Sequence, residues 1–349
     1  MTGGHKRLFA PSDMPSYALS KKRGGNVMSF KRGLLLAAAL AIVSAVPAMA
    51  QLNPQRAITL VVPIGAGGGV DATRRLIAEK LQERLKQPVV VENRPAGGGM
   101  VGADSVAKAA PDGHTLLVIE SSAVLHKWLR KDVPFDVIAD FAPVAQVATS
   151  PLILFSLSSF PANDAKELIA LARKEPGKLS VGIPGVGTPH HLAFMMMNAL
   201  GKIDILAVPY RGAALVTNDV LGGQIPLGWA APTAVLPHVA AGKAKVLGVA
   251  SPQRLPSLPQ VPTIAESGVP GFSIEVFFGI AAPAKMPADL VAKLNQELAE
   301  ISKLPDVQER ISKAGLLPTY RDTAEFRALI KNDHERFGKI IRDAGIEPN

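Results

Sequence analysis

The chain has no cysteine among its 349 residues. That excludes disulfides, thiolate metal sites, a cysteine nucleophile and a lipid-modified N-terminal cysteine. Aromatic residues are scarce, at 5%, with two Trp and three Tyr against 12 Phe. Beyond residue 50 there is no long basic run, so the electrostatic footprint of a nucleic-acid binder is missing and no such partner is expected. The net charge of +9 does not contradict this. Residues 1–50 carry seven Lys or Arg and one acid, Asp13, which leaves 31 basic and 28 acidic residues, a net +3.

What is present begins with an address label. Lys31-Arg32 precede an apolar run over residues 33–46, and Pro47-Ala48-Met49-Ala50 follow. A basic start, a short apolar core and a small-x-small ending predict a secretory signal peptide with a polar N-terminal extension over 1–50. The run spans roughly 21 Å as a helix, short of a hydrocarbon core of about 30 Å. An uncleaved anchor is the alternative. Met28 is a second candidate start, and Lys31-Arg32 lacks the twin-arginine pair. Cleavage after Ala50 gives a soluble periplasmic protein of 299 residues that is not lipid-anchored.

Beyond the signal, apolar runs alternate with helical periodicity. Ile58-Thr59-Leu60-Val61-Val62 reads as a buried strand that ends at Gly65-Ala66-Gly67-Gly68-Gly69. Ile77, Leu81 and Leu85 then lie on one helix face. Strands are predicted at Val89 and Thr115. The same grammar recurs from Leu152, with strands near Lys178, Ile205 and Ala244. Thr188 reads as an N-cap with Pro189 at the first helical position and Gly201 at the close. Helices opened by Pro287, Pro305 and Thr323 fill the C-terminus, the last with a docking stripe of Phe326, Leu329, Ile330, Phe337, Ile340 and Ile341. His334 shares that stripe and reads as packing. Strand–helix–strand alternation predicts an α/β fold with mainly parallel sheets flanked by helices.

Chemistry concentrates at three strand-to-helix turns. Gly67, Gly68, Gly69 and Asp71 form the first, where unpaired N–H groups and the helix dipole favour a carboxylate or phosphate. The plain alternative is a tight turn in which Asp71 complements the helix start. Val70 breaks a G-x-G-x-x-G, and no Gly-Lys-Ser/Thr follows, so no dinucleotide or nucleotide cofactor is expected. Gly185, Gly187, Thr188 and His191 form the second turn; there the alternative for His191 is a ring bonded to backbone. His190 and His191 project about 100° apart on a helix, which disfavours a metal. Tyr210, Arg211 and Gly212 form the third. Arg211 can fork onto a carboxylate or, alternatively, join a surface ion pair. No G-x-S-x-G elbow occurs, and the spacing of Ser150, His191 and Asp219 does not favour a triad, so no catalytic residue is expected.

These residues belong to a longer series of matches. Val61-Val62-Pro63 with Gly67-Gly68-Gly69 and Asp71, Val91-Glu92-Asn93-Arg94-Pro95, Pro111-Asp112-Gly113, Gly185-Val186-Gly187-Thr188, Val208-Pro209-Tyr210-Arg211-Gly212, Leu221-Gly222-Gly223-Gln224 and Ala265-Glu266-Ser267-Gly268 run in order. In this the chain resembles the Bug-type substrate-binding proteins of tripartite tricarboxylate transporters. The resemblance implies a two-domain, type II periplasmic-binding-protein fold that closes on a small organic carboxylate and delivers it to membrane permease subunits, as a monomer. A ligand-sensing protein of the same fold is the alternative. It further implies domain 1 at 51–150 plus 279–349 and domain 2 at 151–278, with Ile64, Ser150 and Phe277 joining the three turns around the ligand. Ile64-Gly65, Val70, Pro226 and Phe277 depart from the family's usual residues, which tilts the expected ligand towards a less polar carboxylate.

Overall fold

The computed structural model describes residues 52–65, 68–343, 345 and 347–348. The signal peptide expected over 1–50 and the candidate Gly67 lie outside them. No helix among the described residues is long and apolar enough to cross a membrane.

The chain first builds β1 (Ile58–Val62), α1 (Gly68–Leu85), β2 (Val89–Asn93), α2 (Met100–Ala107), β3 (Thr115–Glu120), α3 (Ser121–Leu129) and β4 (Phe141–Ser150). A second series follows: β5 (Ile153–Leu157), α4 (Ala165–Lys174), β6 (Ser180–Ile183), α5 (Pro189–Gly201), β7 (Leu206–Pro209), α6 (Ala213–Leu221), β8 (Leu227–Ala230), α7 (Pro232–Ala240) and β9 (Ala244–Val249). The chain then returns through β10 (Val276–Pro283), α8 (Ala288–Ser302), α9 (Pro305–Lys313), β11 (Leu317–Arg321) and α10 (Thr323–Asp343). One sheet has the order β11-β4-β10-β3-β1-β2, the other β7-β6-β8-β5-β9.

Both sheets are mixed. In the first, β1 pairs in parallel with β2 and β3, while β10 is antiparallel to both β3 and β4. In the second, β6 is parallel to β7 and β8, and β5 is antiparallel to β8 and β9. The reversed strands follow from connectivity. Strands of βα units end where their helix-bearing turns begin, whereas β5 and β10 enter their sheets directly from the other one and start at that same edge. Val276, the first residue of β10, pairs with Ser150, the last of β4. The return therefore precedes Val276, and Phe277 and Phe278 belong to the first sheet, not to a second domain ending at 278.

Local signals explain most elements. Thr188 caps α5 as expected, with Pro189 at its first position. The last helix starts differently: Asp322 is the cap, accepting from Ala324 N (2.8 Å) and Glu325 N (2.9 Å), while Glu325 Oε2 accepts from Asp322 N. This is a capping box in which Thr323 is free to donate to Val144 O across to β4. Phe326, Ile330, Phe337 and Ile341 are fully buried along α10, and Leu329 and Ile340 pack at its edge. His334 meets Val124 O at 3.2 Å and packs its ring 4.9 Å from that of Trp128 at a tilt of 39°, a packing role.

Candidate functional site

All three sequence-marked turns lie at the C-terminal ends of strands. In open α/β sheets those ends face the crevice where ligands bind. The turn after β1 is held by Asn93, whose Nδ2 donates to Ile64 O at 3.0 Å. Gly99 packs beside it with φ +92°, and a Cβ there would stand 2.6 Å from Pro63 O. Only glycine permits that approach in that conformation. Asp71 is buried in the first turn of α1, and its Oδ2 accepts from Arg75 Nε at 2.9 Å. Arg75 also donates to Asn93 Oδ1, so this acid, arginine and amide tie the start of α1 to the ends of β1 and β2.

In the second sheet the β6–α5 turn is a closed local network. Thr188 Oγ1 donates to Gly185 O at 2.8 Å and accepts from His191 N at 3.3 Å, and Gly187 N donates to His191 Nδ1 at 3.3 Å. The side chains of Thr188 and His191 thus shape the turn, and His191 follows its backbone-bonded alternative. Gly187 also marks where the sheets' elements meet, since a Cβ there would lie 3.9 Å from Leu129 at the end of α3. The adjacent β7 turn brings Tyr210 and Arg211 alongside, because β6 and β7 pair in parallel up to Ile183 and Pro209. Tyr210 donates its hydroxyl proton to Asp219 at 2.7 Å, and burial together with that carboxylate pushes the phenol up to about 12. Its proton serves α6. Arg211 is exposed and makes no ion pair with any described residue. Gly212 caps α6.

Two sequence-marked residues stand elsewhere in character. Ser150 is buried at the crossing, paired to Val276. Phe277 is fully buried and packs edge-on against Phe326 at 5.2 Å, so its ring belongs to the core beneath α10 and lines no crevice. Nor do Ser150, His191 and Asp219 form a relay: His191 Nδ1 takes the Gly187 amide, and Asp219 takes the Tyr210 hydroxyl.

Sequence reasoning missed the β3–α3 turn. Ser121 is buried there, accepts from Phe277 N at 2.9 Å and donates to Glu275 O at 3.2 Å. Two hydroxyls, Ser121-Ser122, one residue after the four-residue apolar run Leu116-Leu117-Val118-Ile119 were the available signal. The same return segment is gripped by Arg321, which meets Glu275 at 3.3 Å, and by Arg336, which donates to Ser273 O at 2.7 Å.

The two histidines at the start of α5 carry no charge at neutral pH. Loss of hydration lowers both, and holds half-buried His190 at about 4 against an ordinary 6.5. Any anion held there meets a helix terminus, not an imidazolium. A consequence for stability follows. Between pH 6.5 and about 4 the unfolded chain binds a proton at His190 that the folded chain does not, so stability falls as the pH drops through that window. Below it this group adds nothing further. A loss of about 2 kcal/mol is expected, and urea midpoints at pH 7 and 4.5 for the parent and His190→Gln should show the variant losing less. Equal losses would count against it.

Comparison with known proteins adds to this geometry. The family model described as the tripartite tricarboxylate transporter family receptor, TctC, matches residues 73–346. Protein BugT of Bordetella pertussis is 32% identical over 305 residues, covering 87% of this chain and 94% of that protein. The structure of R. palustris Rpa4515 with adipate is 31% identical with a TM-score of 0.73, and covers 85% of this chain and 99% of that one. MatC from Rhodopseudomonas palustris with bound malate is 31% identical with a TM-score of 0.69, and covers 83% and 100%.

Proposed function

The chain belongs to the tripartite tricarboxylate transporter receptor family, and from that premise we propose that it is a periplasmic receptor. It closes two lobes, one on each sheet, around a small organic carboxylate and presents the loaded form to membrane permease subunits. The observation that carries this reading is the common placement of the helix-bearing turns. Those after β1 and β3 and those after β6 and β7 all lie at strand C-termini, and Ser150 and Val276 mark the two chain crossings at the same edge. Ligand oxygens would meet the start of α1 from one lobe. From the other they would meet the start of α5, Arg211 and Gly212. Thr188, His191 and Tyr210 hold those turns in shape, and Phe277 drops out of the ligand set.

The energetics suffice. Micromolar binding needs about −8 kcal/mol. Hydrogen bonds to a charged group contribute on the order of 1.5–3 kcal/mol each, and a helix terminus up to about 2 kcal/mol. Four or five such contacts exceed the requirement before immobilisation and closure are subtracted. The bound malate and adipate of the two related structures suggest short aliphatic dicarboxylates as first probes. Calorimetry with malate, adipate, citrate and benzoate should show saturable one-to-one binding of at least one acid, recovered unchanged. Folded protein that gives no heat with any of them would sink the proposal.

A further inference from the structure

A buried ion pair at the C-terminal end of β3 has no part in the receptor reading so far. Arg74 lies six residues after Gly68 on α1 and is 3% exposed. Helix side chains lean towards the N-terminus, and its neighbours fix where the guanidinium sits. Nη2 is 3.5 Å from Oε2 of Glu120, the last residue of β3, and the guanidinium carbon lies 5.5 Å over the ring of Phe278, close to the start of β10. These are crevice-end positions of the first sheet. The charge of Asp71, in the first turn of α1, also acts on Arg74.

The pair is poorly made for stability. Arg74 Nε and Nη1 are buried without a hydrogen-bond acceptor among the described residues. The adjoining cavity is about 10 Å³ with otherwise largely aliphatic walls, room for one water at most. Burial raises the proton affinity of Glu120, opposed by Arg74 and the Ser122 hydroxyl. A buried pair with idle donors is no better for folding than apolar residues of the same volume, so its presence at this end of the sheet asks for another reason.

We propose that Arg74 and Glu120 form a specificity-determining pair that sets how much negative charge the crevice accepts. Arg74 places a positive charge at the end of β3, and the Glu120 carboxylate 3.5 Å away opposes it. As found, the first lobe offers its ligand a helix terminus without a net side-chain charge from this pair. Charges this deep are weakly screened, so removing one partner or the other shifts the potential at this end of the first sheet in opposite directions.

This inference rests on the carboxylate-receptor reading and is tested beside it. Malate, adipate and citrate are titrated by calorimetry into the full chain, Glu120→Gln, Arg74→Gln and the double variant, with melting curves confirming folding. Glu120→Gln should tighten binding of whichever acid the parent takes by about tenfold, Arg74→Gln should weaken it by about tenfold, and the double variant should return to within about threefold of the parent. A merely structural pair weakens binding in both single variants. That result, or no change in either, overturns the proposal while leaving the receptor reading intact. Absence of binding to the parent protein itself removes the receptor reading, and the pair's role with it.

Discussion

Arg211→Ala is expected to weaken carboxylate binding about 10–100-fold at neutral pH while moving the melting temperature by no more than about a degree. The size follows from losing one or two charge-assisted hydrogen bonds, on the order of 1.5–3 kcal/mol. The separation of effects follows from its setting. Arg211 is exposed and pairs with no described carboxylate, so its removal leaves no buried partner stranded. Thr188→Ala is the useful contrast, because that hydroxyl caps α5 and bonds Gly185 O. Its loss costs about 1 kcal/mol of stability as well as distorting the turn. Calorimetric titration with the best-bound acid, paired with thermal melts, separates the two variants. Unchanged affinity in Arg211→Ala would remove the guanidinium from the site.

Gly279→Ala should destabilise the protein by about 3 kcal/mol or more, close to the upper range for overpacking a core. A Cβ at this position would fall 2.4 Å from Phe326 Cζ and 2.6 Å from Ala145 O. The phenylalanine has nowhere to go, since Phe277 packs edge-on against it. The carbonyl belongs to β4, which pairs with β10 on either side of Gly279 with a register shift at this point. Relief therefore needs β10 to move off the sheet or α10 to lift away. Because β10 also carries the return crossing, carboxylate affinity should fall together with the denaturation midpoint. A urea transition within 1 kcal/mol of the parent would show that the sheet absorbs the methyl group.

Much of the architecture is legible in short stretches of chain. Thr188-Pro189 predicts the start of α5 because capping and a preset φ act within a few residues, while the left-handed close falls not to Gly201 but to Lys202, at φ +49°. The alternation of buried runs with amphipathic helices announces βα units, and a glycine-rich turn between strand and helix announces an anion-friendly end. Phe277 shows where such reading stops. An aromatic residue near a domain crossing is equally compatible with a crevice wall and a core, and the choice depends on which strand β10 joins. Tyr210 and Gly187 show the same limit for hydrogen bonds. Their donors look available in the sequence, and both are consumed, by Asp219 and His191.

The amino-acid order by itself determined the first βα units, the capped α5, the C-terminal helices, the glycine turns and the lack of sulfur chemistry, because each rests on propensities and caps acting over a few residues. The fully buried strands β4, β8 and β10 carried no such local signature. Only the tertiary structure decided strand order, the reversed direction of β5 and β10, the burial of Phe277, and the meeting of Arg74 with Glu120 across 46 positions of chain. Such pairings are selected by many weak contacts summed over the whole core, and no local pattern encodes that sum.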